Sequence, residues 1–384
     1  MDFEKVNFIA NNFLKDIKVL EIDFIDSGLI NKTYIIKYLR NEKKSKFILQ
    51  SLSNIFESHE IVNTNHQLIT EHIKKKIKQK HLCLVNQRWE VPSLIRCNSN
   101  NLFVYNFNSE FWRAMSYIDK TLSFDVLEDK IMAYQTGIGL SKFHFNCFDL
   151  DCTKLKNTIK DFHNTIFYID QLNISLKSYN FGRFESSVNK RIQKLISSLS
   201  NHIKYVKFII RSLKEKSIDK SVVHGDPKLS NFLFDIKYKY VVALIDLDTV
   251  SSGYLLMDIA DCIRSICNTA GEDSNDIENV NFDITCCEYF LEGYFSRGNQ
   301  VGSYCFELIP EFIYLIIVEL TIRFLDDFLN SDRYFKVNFP TQNLYRAEVQ
   351  FRLLSSFISQ IPTLAASLHD AGIFSSPIFV SDVQ

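Results

Sequence analysis

The segment His224-Gly225-Asp226-Pro227-Lys228-Leu229-Ser230-Asn231, followed fifteen residues later by Asp246 at the end of an apolar stretch, constrains this chain more than any other. Residues 221–224 read as a short strand entering a loop. Asn231-Phe232-Leu233-Phe234 and Val241-Val242-Ala243-Leu244-Ile245-Asp246 read as two hairpin strands. A fold that accepts this segment must present two acids and an amide on one loop and hairpin. Asp226 can accept a proton from a hydroxyl. Asn231 and Asp246 are hard oxygen ligands suited to Mg²⁺, which takes few carboxylates and shares its coordination with phosphates. His224 suits a packing role within the loop. Asp and Asn are also common in turns, where they bond their own backbone, so either piece alone fits a capped turn. The joint spacing and the downstream acid point instead to phosphoryl transfer.

The 384 residues suffice for two lobes, and 46% hydrophobic against 23% charged residues is ordinary for a chain with a large core. A net charge of −1 leaves no basic excess for nucleic acid or an anionic membrane, so neither partner is expected. The dense run Lys74-Lys75-Lys76-Ile77-Lys78-Gln79-Lys80 suits the solvated end of a helix. Nine scattered cysteines form no Cys-x-x-Cys pair, which fits buried thiols in a reducing compartment. Met1-Asp2-Phe3-Glu4-Lys5 lacks the basic start and apolar run of a signal peptide. The most apolar window, 312–318, is flanked by Glu311 and Glu319 and is too short to span a bilayer. A cytoplasmic protein is expected.

Residues 6–20 carry helical spacing. A strand, a turn at Ser27-Gly28-Leu29-Ile30-Asn31 and a second strand from Thr33 to Tyr38 follow. Phe47-Ile48-Leu49-Gln50 reads as a third strand, 60–78 as a helix, 93–97 and 102–105 as short strands, and 111–118 as an apolar strand leaving the first lobe. Beyond about residue 120 the pattern turns helical. It includes one long amphipathic run over 129–145, more helix over 188–215 and helices from 256 onward, with a loop at 270–281. The expected fold class is α+β and bilobal. Residues 1–118 form a small β-rich lobe with a hinge near 113–118, and residues 119–384 form a larger, mainly helical lobe.

Other residues join the candidate set on chemical grounds. Gly28 permits close backbone approach to phosphates, although a plain hairpin turn also uses glycine. Glu71 on the 60–78 helix could orient a strand residue or simply be solvated. Asp248 faces the same side as Asp246 if the strand continues. His163, in Asp161-Phe162-His163-Asn164-Thr165, has no second metal ligand at helical spacing and suits loop packing. Arg323 lies inside an apolar helix and must find a carboxylate or a substrate oxygen.

The order His-x-Asp-x-x-x-x-Asn and then Asp is that of the protein-kinase catalytic loop and its metal-binding acid. His224-Gly225-Asp226 with Ile245-Asp246-Leu247-Asp248 resembles the aminoglycoside phosphotransferase and choline kinase superfamily. Separated stretches are similar to its N-acetylhexosamine 1-kinases. They include residues 29–34, 47–50, 54–56, 162–165, 243–249 and 322–327. The resemblance implies ATP with Mg²⁺ as donor and the C1 hydroxyl of an N-acetylhexosamine as acceptor. It implies Asp226 as base and Asn231 and Asp246 as metal ligands. Gly28, Asn31, Thr33, Gln50, Met115 and Tyr117 would form the nucleotide site, and His163, Asp248 and Arg323 would contact the sugar.

Gln50 departs from the kinase pattern, which places a phosphate-binding lysine on that strand. Lys37, Lys46 or Lys228 could supply the missing charge. Choline, ethanolamine, homoserine or an aminoglycoside remain alternative acceptors, and a non-catalytic binding module is a third reading that retention of the acids disfavours.

Overall fold

A computed structural model describes residues 3–25, 30–79, 88–180, 182–216, 218–296 and 306–370. Helix α1 (Phe3–Phe13) leads into strands β1 (Lys18–Ile25), β2 (Lys32–Arg40) and β3 (Lys43–Ser51). Helix α2 (His59–Lys78) and strands β4 (Leu94–Ile95), β5 (Tyr105–Phe107) and β6 (Glu110–Ser116) follow. These strands form one antiparallel sheet in the order β1-β2-β3-β6-β4, with β5 also paired to β6. Alternation sets its faces. Tyr34 and Ile36 of β2 and Phe47 and Leu49 of β3 pack inward against Trp112, Ala114 and the apolar side of α1. Ser58 caps α2, accepting from the Ile61 amide, and Lys75, Lys76 and Lys78 stand at its negative end.

The C-terminal part is helical. It runs through β7 (Thr121–Leu122), α3 (Lys130–Cys147), α4 (Thr165–Ser178), α5 (Ser186–Lys214), β8 (Ser221–Val223), β9 (Phe232–Asp235) and β10 (Val241–Leu244). It continues through β11 (Ser251–Gly253), α6 (Leu255–Ile266), α7 (Ile284–Phe295), α8 (Ile309–Leu329) and α9 (Gln342–Asp370). Its core gathers around α8, which is buried along nearly its whole length. The β9–β10 hairpin lies between this core and the sheet-bearing part, and β11 returns antiparallel to β8. No helix among the described residues is long and apolar enough to cross a membrane. The architecture is the expected α+β one, rich in antiparallel sheet before about residue 120 and mainly helical after it.

Some elements differ from the sequence reading. The first helix stops at Phe13, and a turn with Asp16 at φ 58° starts β1 inside the stretch expected to be helical. The second short strand begins at Tyr105, where it was expected to end. Helix α3 is not amphipathic. Its polar-looking residues Thr136, Ser141, Lys142, His144 and Asn146 are buried along with its apolar ones, because α7 packs on one side and β10 on another. Strand β10 ends at Leu244, so Asp246 and Asp248 do not share a strand face. They lie on a 3₁₀ turn (Leu247–Thr249) that Asp246 enters in the left-handed region.

Candidate active site

Strand β8 delivers the loop, and a buried carboxylate shapes it. Asp258, on α6, accepts from the amides of His224 (2.6 Å) and Gly225 (2.9 Å) and from Nε2–H of His144 (3.0 Å). Burial alone would raise its pKa, but the His144 bond and the His144 and His224 rings hold it below the usual carboxylate range. Gly225 turns the chain at φ +86°, and a Cβ there would stand 2.8 Å from the Thr249 carbonyl oxygen. His224 donates from Nε2 to the Ile245 carbonyl (2.9 Å) and accepts the Asp226 amide at Nδ1 (3.3 Å). That is a neutral tautomer, and burial lowers its pKa accordingly. The packing role expected of His224 is what these bonds describe.

The acids then converge. Asn231 donates from its amide to the Asp226 carbonyl (2.8 Å). Its Oδ1 accepts no hydrogen bond among the described residues, so one oxygen ligand is left over. Asp226 is half-buried, and Lys228 Nζ lies 3.5 Å from its Oδ2. Burial works against the Lys228 charge, yet Asp226, Glu272 and Asp246 outweigh it and keep the ammonium protonated. Asp246 is exposed at the cleft. The protein around it and then the Asp248 charge raise its pKa above the ordinary carboxylate value, against the pull of Lys228 and Arg113. Negative charge is thus concentrated where an unengaged amide oxygen also sits, a donor set that suits Mg²⁺. No ready-made cage of three His, Cys, Asp or Glu exists among the described residues. Mg²⁺ bound with a nucleotide does not need one, since phosphate oxygens complete its shell.

Asp226 also floors a pocket of about 570 Å³, open mouth included. His163 and Arg323 line it with Phe162, Tyr334 and Phe335. His163 donates from Nδ1 to Glu319 (3.0 Å) and from Nε2 to the Gly225 carbonyl (2.8 Å). Both ring nitrogens therefore face acceptors. Burial opposes the charge, but Glu319 outweighs it and raises the pKa. Among the described residues Arg323 finds no carboxylate bond. Its guanidinium lies 5.0–5.5 Å from the ring centres of Phe162, Tyr168, Tyr334 and Phe335, and Nη2 donates to the Tyr334 hydroxyl (3.2 Å).

Across the cleft, Asn31 donates to Asp248 Oδ2 (2.7 Å) and accepts the Ser53 amide (3.0 Å). Gln50 donates to Thr33 Oγ1 (3.0 Å). Met115 sits on β6 between Ile48 and Leu94, and Tyr117 follows the strand with Lys46 Nζ 4.8 Å from its ring centre. Gly28 lies outside the described residues. Lys37 pairs with Glu21 and Asp23 at the surface, and Lys46 approaches Asp119, so both lysines have other partners. Glu71 is exposed on α2 and accepts from Gln67 (2.6 Å), so it orients no strand residue.

Two residues escaped the sequence reading. Arg113 donates from Nε and Nη2 to Gln50 Oε1 (2.9 and 2.6 Å), and Nη2 also lies 2.5 Å from Asp248 Oδ1. Asp258 is the anchor of the loop. Both are charged residues inside apolar runs, the signal that had singled out Arg323.

Residues 188–281 match the phosphotransferase enzyme family, APH. Solved structures resemble the chain over most of its length. A Plasmodium vivax ethanolamine kinase shares 17% identity, covering 91% of this chain and 86% of that one, with a TM-score of 0.57. A choline kinase from Cryptosporidium parvum shares 13% identity over 98% of both chains, with a TM-score of 0.58. A spectinomycin phosphotransferase in complex with ADP and spectinomycin shares 13% identity over 94% and 98%, with a TM-score of 0.54. The chain thus carries a phosphotransferase-family segment within a protein-kinase-like α+β fold.

Proposed function

We propose that this protein is an ATP- and Mg²⁺-dependent small-molecule kinase that phosphorylates the C1 hydroxyl of an N-acetylhexosamine, giving a sugar 1-phosphate. The observation that carries this reading is the single pocket shared by Asp226, His163 and Arg323, three residues distant in sequence. Asp226 orients the acceptor hydroxyl and takes its proton as the oxygen bonds to the γ-phosphorus and the bond to the ADP oxygen breaks. Asn231 and Asp246 would hold Mg²⁺, which when bound neutralises charge on the phosphates. Lys228 stands beside Asp226, within reach of a transferring phosphoryl group. Asn31 before β2, Thr33 on β2, Gln50 on β3, Met115 on β6 and Tyr117 just after it would line the nucleotide side. The ADP-bound spectinomycin phosphotransferase of like fold supports a nucleotide in that cleft.

The pocket also argues about the acceptor. Its aromatic residues surround Arg323, so a quaternary ammonium would meet a positive charge where a choline site needs an empty cage. Asp226, Asp261 and Glu272 are balanced by Lys228, Arg264 and Arg323, which gives a polycationic aminoglycoside no strongly acidic wall. An uncharged polyhydroxyl acceptor fits best. The test is ADP release with N-acetylglucosamine, N-acetylgalactosamine, choline, ethanolamine, homoserine and an aminoglycoside. The N-acetylhexosamines are expected to give the highest kcat/KM. Turnover confined to an amino alcohol would overturn the sugar assignment, and turnover with none of the panel would overturn the proposed activity.

A further inference from the structure

The acidic turn 246–249 is held from two sides. On one side Thr249 donates to the His224 carbonyl (2.8 Å), tying the turn to the loop of Asp226. On the other side the sheet reaches across the cleft. Thr33, Gln50 and Arg113 face one another in a single row across β2, β3 and β6. Within that row Thr33 accepts from Gln50, and Gln50 accepts from Arg113 twice. Arg113 then meets Asp248 as an ion pair, too bent for a well-aligned hydrogen bond, while Asn31 donates to the other Asp248 oxygen. The Arg113 and Asp248 side chains are only 1% and 4% exposed. Asp246, next to Ile245 whose carbonyl accepts from His224 (2.9 Å) and two residues before Asp248, stands at φ 64°, an uncommon conformation for a residue other than glycine.

We propose that Arg113 is a positioning residue. Through Asp248 it fixes Asp246 for the metal, from the strand beside the one that carries Gln50. The sheet and the acidic turn are thereby clasped across the cleft. This inference rests on the kinase reading above and adds residues that act through Asp246 without touching substrate.

The test separates metal-dependent from metal-independent nucleotide binding. Calorimetry measures ADP affinity with saturating Mg²⁺ and with EDTA, for the wild type, Asp248→Asn, Arg113→Met and the double variant. In each variant the affinity gained from Mg²⁺ is expected to fall by about tenfold or more, the usual effect of losing a residue that orients a metal ligand. Affinity in EDTA should stay within about twofold of wild type, which general unfolding would not allow. The double variant should be no worse than the worse single by more than about twofold, because both changes open one clasp. Pairing Gln50→Arg with Arg113→Gln, which moves the charge to the neighbouring strand, should recover part of the loss. Asp248→Asn, nearly isosteric, keeps the test decisive if Arg113→Met fails to fold. Variants that gain as much from Mg²⁺ as the wild type would overturn the clasp alone. A wild type showing no Mg²⁺-dependent ADP binding would overturn the kinase reading and the clasp with it.

Discussion

Asp258 accepts three hydrogen bonds with 1% of its surface exposed, so the shape of the Asp226 loop depends on a residue that does no chemistry. Asp258→Asn puts an amide N–H against groups that already donate, and breaking such a buried charged network costs about 3–5 kcal/mol. The expected result is a denaturation midpoint lowered accordingly. The His163–Glu319 pair gives a pH signature. Folding raises the His163 pKa, so its contribution is fully present below about pH 6.5 and is lost as pH rises through the folded value. Burial opposes the Glu319 charge, but His163 lowers its pKa overall. That contribution is present above about pH 4.3 and is lost as pH falls through the lowered value. Thermal melts should therefore show wild type exceeding His163→Gln most between these limits, with the gap narrowing above them. Arg323→Ala removes a guanidinium ringed by aromatics at the pocket wall and is expected to raise KM for the acceptor by about tenfold or more, with ATP KM little changed.

Helices α3 and α7 show why some elements were hard to read. A Cβ at Gly137 would lie 2.1 Å from the Phe290 carbonyl oxygen, and one at Gly293 would lie 2.0 Å from the Tyr134 carbonyl oxygen. The two helices touch backbone to backbone, which only glycine at those positions allows. Gly293→Ala must push them apart and is expected to destabilise by about 1–3 kcal/mol or more, measured by urea unfolding. In sequence, the small and polar residues of α3 look like a solvated face. In the fold they are the contact face, and no periodicity rule distinguishes the two. The hairpin β1–β2, helix α2 and the pair β9–β10 were legible because each has one wet and one dry side or a clear apolar run. The end of β10 was not legible, since the turn that follows Asp246 is held by anchors distant in sequence, at His224 and Arg113.

Across the whole molecule, the sheet brings Asn31, Gln50 and Arg113 against the acidic turn, while α4, α8 and the loop before α4 bring His163 and Arg323 to Asp226. The acids of the loop and hairpin were legible from spacing, because their chemistry demands a fixed order over a short stretch. Arg113 opposite them was not, because sequence distance hides a cross-strand neighbour. The most direct measurement is ³¹P NMR of wild type and Asp226→Asn incubated with Mg²⁺, ATP and an N-acetylhexosamine, with ADP affinity measured alongside. The wild type is expected to form a sugar phosphate whose phosphorus couples to the anomeric proton. Asp226→Asn should bind ADP normally and form that product about 10²–10⁴-fold more slowly. An Asp226→Asn variant that made the same product within a few-fold of the wild-type rate would contradict the role given to Asp226.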